Sequence, residues 1–147
     1  MTTRRFEDLV VGDRLDCGIT SASAAEMIAF AEQFDPLAMH VDEAAARETA
    51  FEGLIASGIH TFALTQPPVV EHLYGDSALL ASAGMQDLQF PAPLRPDEAV
   101  AVTVDVLDKR VSERTPERGV LTTRRRGTVG DKTVLSLEND TVWHRDV

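Results

Sequence analysis

In the run FDPLAMHVDEAAARETAFEGLIASG, covering residues 34–58, three residues stand out for chemistry: Asp35, His40 five positions on, and Gly58 eighteen further. An imidazole titrates near neutrality and a carboxylate serves as base or orienter. Sharing one cleft, the two can position a water molecule and move its protons. Ser57 reads as the N-cap of a following apolar helix, and Gly58 lets a ligand approach the free N–H groups at that helix start. Those donors, at the positive end of the helix, suit a carbonyl oxygen that gains negative charge. A proton-moving pair beside such an oxyanion site is what addition of water to a conjugated thioester requires.

The flanking elements must bring these residues together. SASAAEMIAFAEQF predicts a helix over about 23–34, with Ser21 or Ser23 as cap and Ala24, Met27, Ile28 and Ala31 toward the core. Pro36 disfavours helical geometry at Asp35, so the helix should stop at Phe34. On a continuous helix five residues turn through roughly 500°, which would send Asp35 and His40 to different faces. A bend at Pro36 lets both point into one space. Asp42 is expected to cap a short helix through Ala44, Ala45, Ala46 and Arg47, and Phe51, Glu52 and Gly53 to form a turn leading to Ser57. From Gly58, the run with Ile59, Phe62, Ala63 and Leu64 predicts a helix apolar on nearly every face, hence a buried one. Pro67 and Pro68 predict a kink or break there, with a second helical piece over 69–73.

With these residues in view, the chain resembles the MaoC-like enoyl-CoA hydratases. DPLAMHVD followed by FEGLIASGIHT is similar to that family's hydratase motif, where many members read D-P-Q-P-F-H or D-x-N-P-L-H and then G-L-I-A-S-G-W-H-T. Asp35, His40 and Gly58 match at the family spacing. Leu37, Ala38 and Met39 depart from it where an amide and a second proline are common, and Pro67 and Pro68 interrupt a helix that usually runs through. PAPLRPDE resembles the family's P-V-R-P-G-D turn, with Asp97 in place of the glycine. The resemblance covers essentially the whole chain. It implies an α+β hot-dog fold, an antiparallel sheet wrapped around a central buried helix. Asp35 and His40 would be the catalytic pair, Gly58 with Ser57 the oxyanion-hole and substrate-binding residues, and the product an (R)-3-hydroxyacyl thioester.

The remaining sequence is read as strands. Leu15, Cys17 and Ile19 alternate after a turn at Gly12 and Asp13. Residues 84–90 form a strand, while 78–83 carry no clear pattern. Val100, Val102, Val104 and Val106 give the clearest alternation, and 120–129 and 133–143 pair across Gly130 and Asp131. No repeat or linker interrupts the chain, so residues 1–147 are expected to form a single domain. An open sheet edge predicts at least a homodimer.

Composition narrows the function further. The net charge of −10 argues against nucleic acid as the main partner. Phosphates of coenzyme A would then need a local basic patch, for which Arg47, Arg95, Lys109, Arg110 and Arg124–Arg125–Arg126 are candidates; the arginine run otherwise reads as a solvated strand edge. MTTRRFEDLV has no apolar signal core and no stretch is long enough to cross a membrane, so a cytoplasmic protein without a membrane role is expected. The single cysteine, Cys17, reads as packing. His40, His60, His72 and His144 have no metal-ligand spacing, and no nucleotide-binding pattern occurs, so neither metal nor cofactor is expected beyond a coenzyme A thioester as substrate. His60 reads as a hydrogen-bonded core residue or pocket wall. The expected activity is hydratase or dehydratase chemistry on acyl thioesters of coenzyme A or acyl carrier protein. A hot-dog thioesterase and a non-catalytic, acyl-thioester-binding partner subunit are the alternatives.

Overall fold

The computed structural model describes residues 4–146. Five strands, β1 (Arg14–Thr20), β2 (Leu79–Gln89), β3 (Val100–Val111), β4 (Arg118–Val129) and β5 (Lys132–His144), form one sheet in the order β1-β3-β4-β5-β2, every pair antiparallel. The alternating valines of β3 are almost fully buried, with Leu121, Leu135, Leu137 and Trp143 continuing the core along β4 and β5. Strand alternation puts all of these on one face. Over that face lie four helices: α1 (Ala24–Phe34), α2 (Ala38–Val41), α3 (Glu43–Arg47) and α4 (Gly58–Val69). Helix α4 packs against β1, β3 and β5 and is the central one.

Local chemistry sets the helix boundaries that matter for the site. Ser23 caps α1 in a reciprocal box with Glu26, each side chain taking the other's backbone N–H at 3.1 Å. The helix ends at Asp35, as Pro36 requires. Asp42 caps α3, its Oδ1 accepting from the N–H groups of Ala44 and Ala45 at 3.0 and 3.1 Å. The short helix α2, which carries His40, was not anticipated; it is a single turn, too short to leave a periodicity signal.

Three expectations fail for identifiable reasons. Ile19 is 71% exposed although it alternates with the buried Cys17, because the register with β3 shifts between Asp16 and Ile19. Gly18, at φ +86°, supplies the left-handed residue of that irregularity, and one extra residue reverses the parity of every side chain beyond it. Helix α4 does not break at Pro67 and Pro68. Helical geometry continues to Val69, and the second helical piece expected over 69–73 is present as a π-type turn over Val70–Tyr74, closed by the Gly75 N–H on Val70 O. Nor is α4 apolar all round. Its buried positions include His60, Thr61 and Thr65, while Ile59 is 54% exposed.

The arginine run is not a strand edge either. Strand β4 is the middle strand of the sheet, and Arg125 is 2% exposed against the helix-covered face.

Candidate active site

The extended segment 54–57 crosses beneath the turn that carries His40 and is buried throughout. The Ile55 N–H bonds to Met39 O at 3.3 Å and the Ala56 N–H to Leu94 O at 2.9 Å, so one short stretch ties α2 to the loop after β2. At its end, Ser57 turns the chain into α4. Its side chain does not cap that helix, contrary to expectation. Ser57 Oγ instead donates to Asp35 Oδ2 at 2.6 Å, in a position that is 1% exposed.

The same carboxylate oxygen lies 3.6 Å from His40 Nε2, with the His40 side chain 6% and the Asp35 side chain 25% exposed. The other imidazole nitrogen settles the tautomer. His40 Nδ1 is 2.8 Å from Ile55 O, and a carbonyl only accepts, so Nδ1 carries the proton. In the neutral ring Nε2 is then a lone pair facing a carboxylate oxygen. The 3.6 Å separation leaves no room for an atom in line between the two acceptors, but both can be reached by one donor lying beside them. A water molecule donating one hydrogen to each would leave its own lone pair free for a substrate.

Gly58 and His40 open into a pocket of about 260 Å3, whose other walls include Phe51, Thr61, Phe90 and Leu94. Gly58 is the first residue of α4, and its N–H has no acceptor among the described residues. A Cβ there would stand 2.6 Å from the Phe90 ring, so any side chain at this position would require Phe90 to shift. A broader open depression of about 640 Å3 lies between Ile28, Glu32, Val41 and Arg47, but neither Asp35, His40 nor Gly58 lines it.

The structure therefore brings Asp35, His40, Ser57 and Gly58 together. His60 stands apart. It is buried as expected, 8% exposed, and stacks on Phe30 at 4.3 Å between ring centroids, but its Nδ1 is sealed without a partner and it does not line the pocket at Gly58. Burial holds its pKa below the ordinary value, with Glu26 opposing.

Of the basic candidates, Arg95 lies beside the pocket, donating to the Phe51 carbonyl at 2.5 Å. Lys109 is committed to Leu9 O at 2.7 Å, over the Phe6 ring. Sequence reasoning missed the Ile55 carbonyl, because a backbone acceptor has no signature in residue type. It also missed Phe90 and Thr61, and Arg125, a candidate for a phosphate-binding patch, is 2% exposed on the inner face of the sheet.

Comparison with known proteins follows the same lines. The family model described as MaoC like domain matches residues 8–125. YdeM of Bacillus subtilis, an uncharacterized protein, is 34% identical over 119 residues, covering 80% of this chain and 82% of its own length. The crystal structure of the MaoC-like dehydratase from Rhodospirillum rubrum is 36% identical with a TM-score of 0.87, covering 96% of this chain and 97% of that one. The (R)-hydratase of A. caviae involved in PHA biosynthesis is 28% identical with a TM-score of 0.65, covering 95% of this chain and 99% of that one.

Proposed function

The chain belongs to the MaoC like domain family, and from that premise we propose that it is a hydratase adding water to a 2-enoyl thioester of coenzyme A or acyl carrier protein. Its fold is the α+β hot-dog fold, and its family and structural neighbours include dehydratases and hydratases. The observation that carries the reading is the facing pair of acceptors, Asp35 Oδ2 and His40 Nε2, with Nδ1 already committed to Ile55 O.

In this mechanism the water gives one hydrogen bond to each acceptor and presents its oxygen to the β-carbon. As the C–O bond forms, one water proton passes to the pair, and the pair delivers one proton to the α-carbon. The sum is H and OH added across the double bond. Negative charge that develops on the thioester oxygen is met by the Gly58 N–H, a donor worth about 3–4 kcal/mol in such sites. Ser57 Oγ holds the Asp35 carboxylate in place. The product is the (R)-3-hydroxyacyl thioester. No cofactor takes part. The acting unit is a homodimer formed along β2, whose Leu80, Met85 and Leu88 are exposed at a sheet edge.

The test is the enoyl-thioester absorbance of crotonyl-CoA and a longer enoyl-CoA mixed with purified protein. Loss of the band without release of thiol is expected. Thiol release would replace the reading with a thioesterase. An unchanged band with both substrates would reject the homomeric hydratase in favour of a partner subunit.

A further inference from the structure

Helices α1 and α4 carry the two halves of the site. Asp35 ends α1, its N–H bonded to Ala31 O at 2.8 Å, and α1 leans on α2, which carries His40. Gly58 opens α4. Hydration needs both halves at once, because the water held by the pair and the oxygen held by the Gly58 N–H must meet on one substrate. Whatever orients α1 on α4 therefore sets the reaction geometry.

One tie between the halves is the 2.6 Å bond from Ser57 Oγ to Asp35 Oδ2. A single bond fixes a distance and not an orientation. A second point of contact lies one helical turn on. His60 follows Ser57 by three residues, which places the two side chains on one face of α4. The His60 ring lies flat on Phe30 of α1, with centroids 4.3 Å apart and planes 9° apart. Phe30 in turn meets Phe34 at 5.0 Å, and Phe34 is the residue before Asp35. The rings thus run from the first turn of α4 to the neighbour of the Asp35 carboxylate.

The hold is made by ring faces. His60 Nδ1 is sealed without a partner, and no described residue hydrogen-bonds the imidazole. Burial lowers the pKa of the ring, with Glu26 in the first turn of α1 opposing. A sealed nitrogen without a partner costs stability, so a hydrocarbon ring would fill the same space at less cost. His60 lines neither the pocket at Gly58 nor the open depression beside α1. Resting on the hydratase reading, we infer that His60 is a positioning residue. Stacked on Phe30, it orients α1 on α4 and so keeps Asp35 in place relative to the Gly58 N–H.

Three variants test this. His60→Ala removes the ring from α4, Phe30→Leu removes its partner from α1, and His60→Phe keeps a ring without the unpaired nitrogen. In the first two, kcat on an enoyl thioester is expected to fall about ten- to a hundredfold with KM within about twofold, as misplacement without a lost substrate contact requires. Their combination should lose little more than either alone, since both break one stack. His60→Phe should keep kcat within about twofold and melt at or above the unaltered protein. Unchanged kcat in His60→Ala, a KM that rises in step with the lost activity, or a His60→Phe protein as slow as His60→Ala overturns the inference.

Amide hydrogen exchange reads the same contact without turnover. The Asp35 N–H should exchange about tenfold faster in His60→Ala, well beyond any change in β4, and recover in His60→Phe. Equal acceleration at Asp35 and in β4 would make His60 merely structural and overturn the inference. A selective change at Asp35 in a protein that hydrates no enoyl thioester would remove the hydratase reading and leave the positioning contact. Hydration without that selective change would remove the positioning contact alone.

Discussion

His40 is held by one nitrogen so that the other stays available. The Ile55 carbonyl accepts from Nδ1, Ser57 Oγ donates to the opposing carboxylate, and Asp35 Oδ2 stands 3.6 Å from His40 Nε2. Each contribution is separable by substitution. Asp35→Asn keeps the shape but removes the charged acceptor, and a loss in kcat of about 10²- to 10⁴-fold is expected, as for removal of a general acid–base group. His40→Ala should lose a similar amount. Ser57→Ala removes a bond to a charged group, worth about 1.5–3 kcal/mol, so a smaller loss of roughly ten- to a hundredfold is expected. Steady-state rates on an enoyl thioester check the series. Equal losses at all three positions would deny Ser57 a merely positioning role, and full activity in Asp35→Asn or His40→Ala would refute the pair.

At the scale of elements, close packing accounts for positions that residue type leaves unexplained. Gly119 on β4 lies against the Phe6 ring, on the short 3₁₀ turn at Phe6–Asp8. A Cβ added there would overlap the ring, so the amino-terminal segment closes over the sheet only because position 119 carries no side chain. Gly119→Ala is expected to cost about 1–3 kcal/mol through overpacking. Urea denaturation measures this as a lower midpoint with an unchanged slope. The opposite outcome, a midpoint equal to the unaltered protein, would mean that Phe6 moves aside freely. Helix α4 shows the same logic in its backbone. The π-type turn after Val69 follows the proline pair directly, and His72 Nδ1 takes up the Pro68 carbonyl at 2.9 Å.

For the whole molecule, the sheet order leaves β1 and β2 as edges, and β2 is the apolar one. Leu80, Met85 and Leu88 are each about half exposed, and Phe90 just beyond the strand is 44% exposed while packing against Gly58. A second copy laid along β2 would pair its free backbone groups and cover these side chains. Light scattering at micromolar concentration is expected to give the mass of a dimer. Leu88→Lys should shift it toward monomer and lower hydration, because Phe90 links that edge to the site. A monomer in the unaltered protein would rule out this assembly.

What the sequence determined by itself was local: the end of α1 at Pro36, the caps at Ser23 and Asp42, the β3 alternation, and a motif spacing that singled out Asp35, His40 and Gly58. Each depends on near neighbours in the chain, through proline geometry, a capping side chain or strand periodicity. Tertiary structure decided the rest. Ser57 turns to Asp35 rather than to its own helix because a carboxylate 22 residues away in sequence lies against it. Ile19 faces outward because a bulge shifts its register with β3. Arg125 is buried because β4 is the middle strand of the sheet, and strand order is set by pairings between distant segments. Burial and partnership between such segments are properties of the assembled sheet and helix, and residue order along one strand does not contain them.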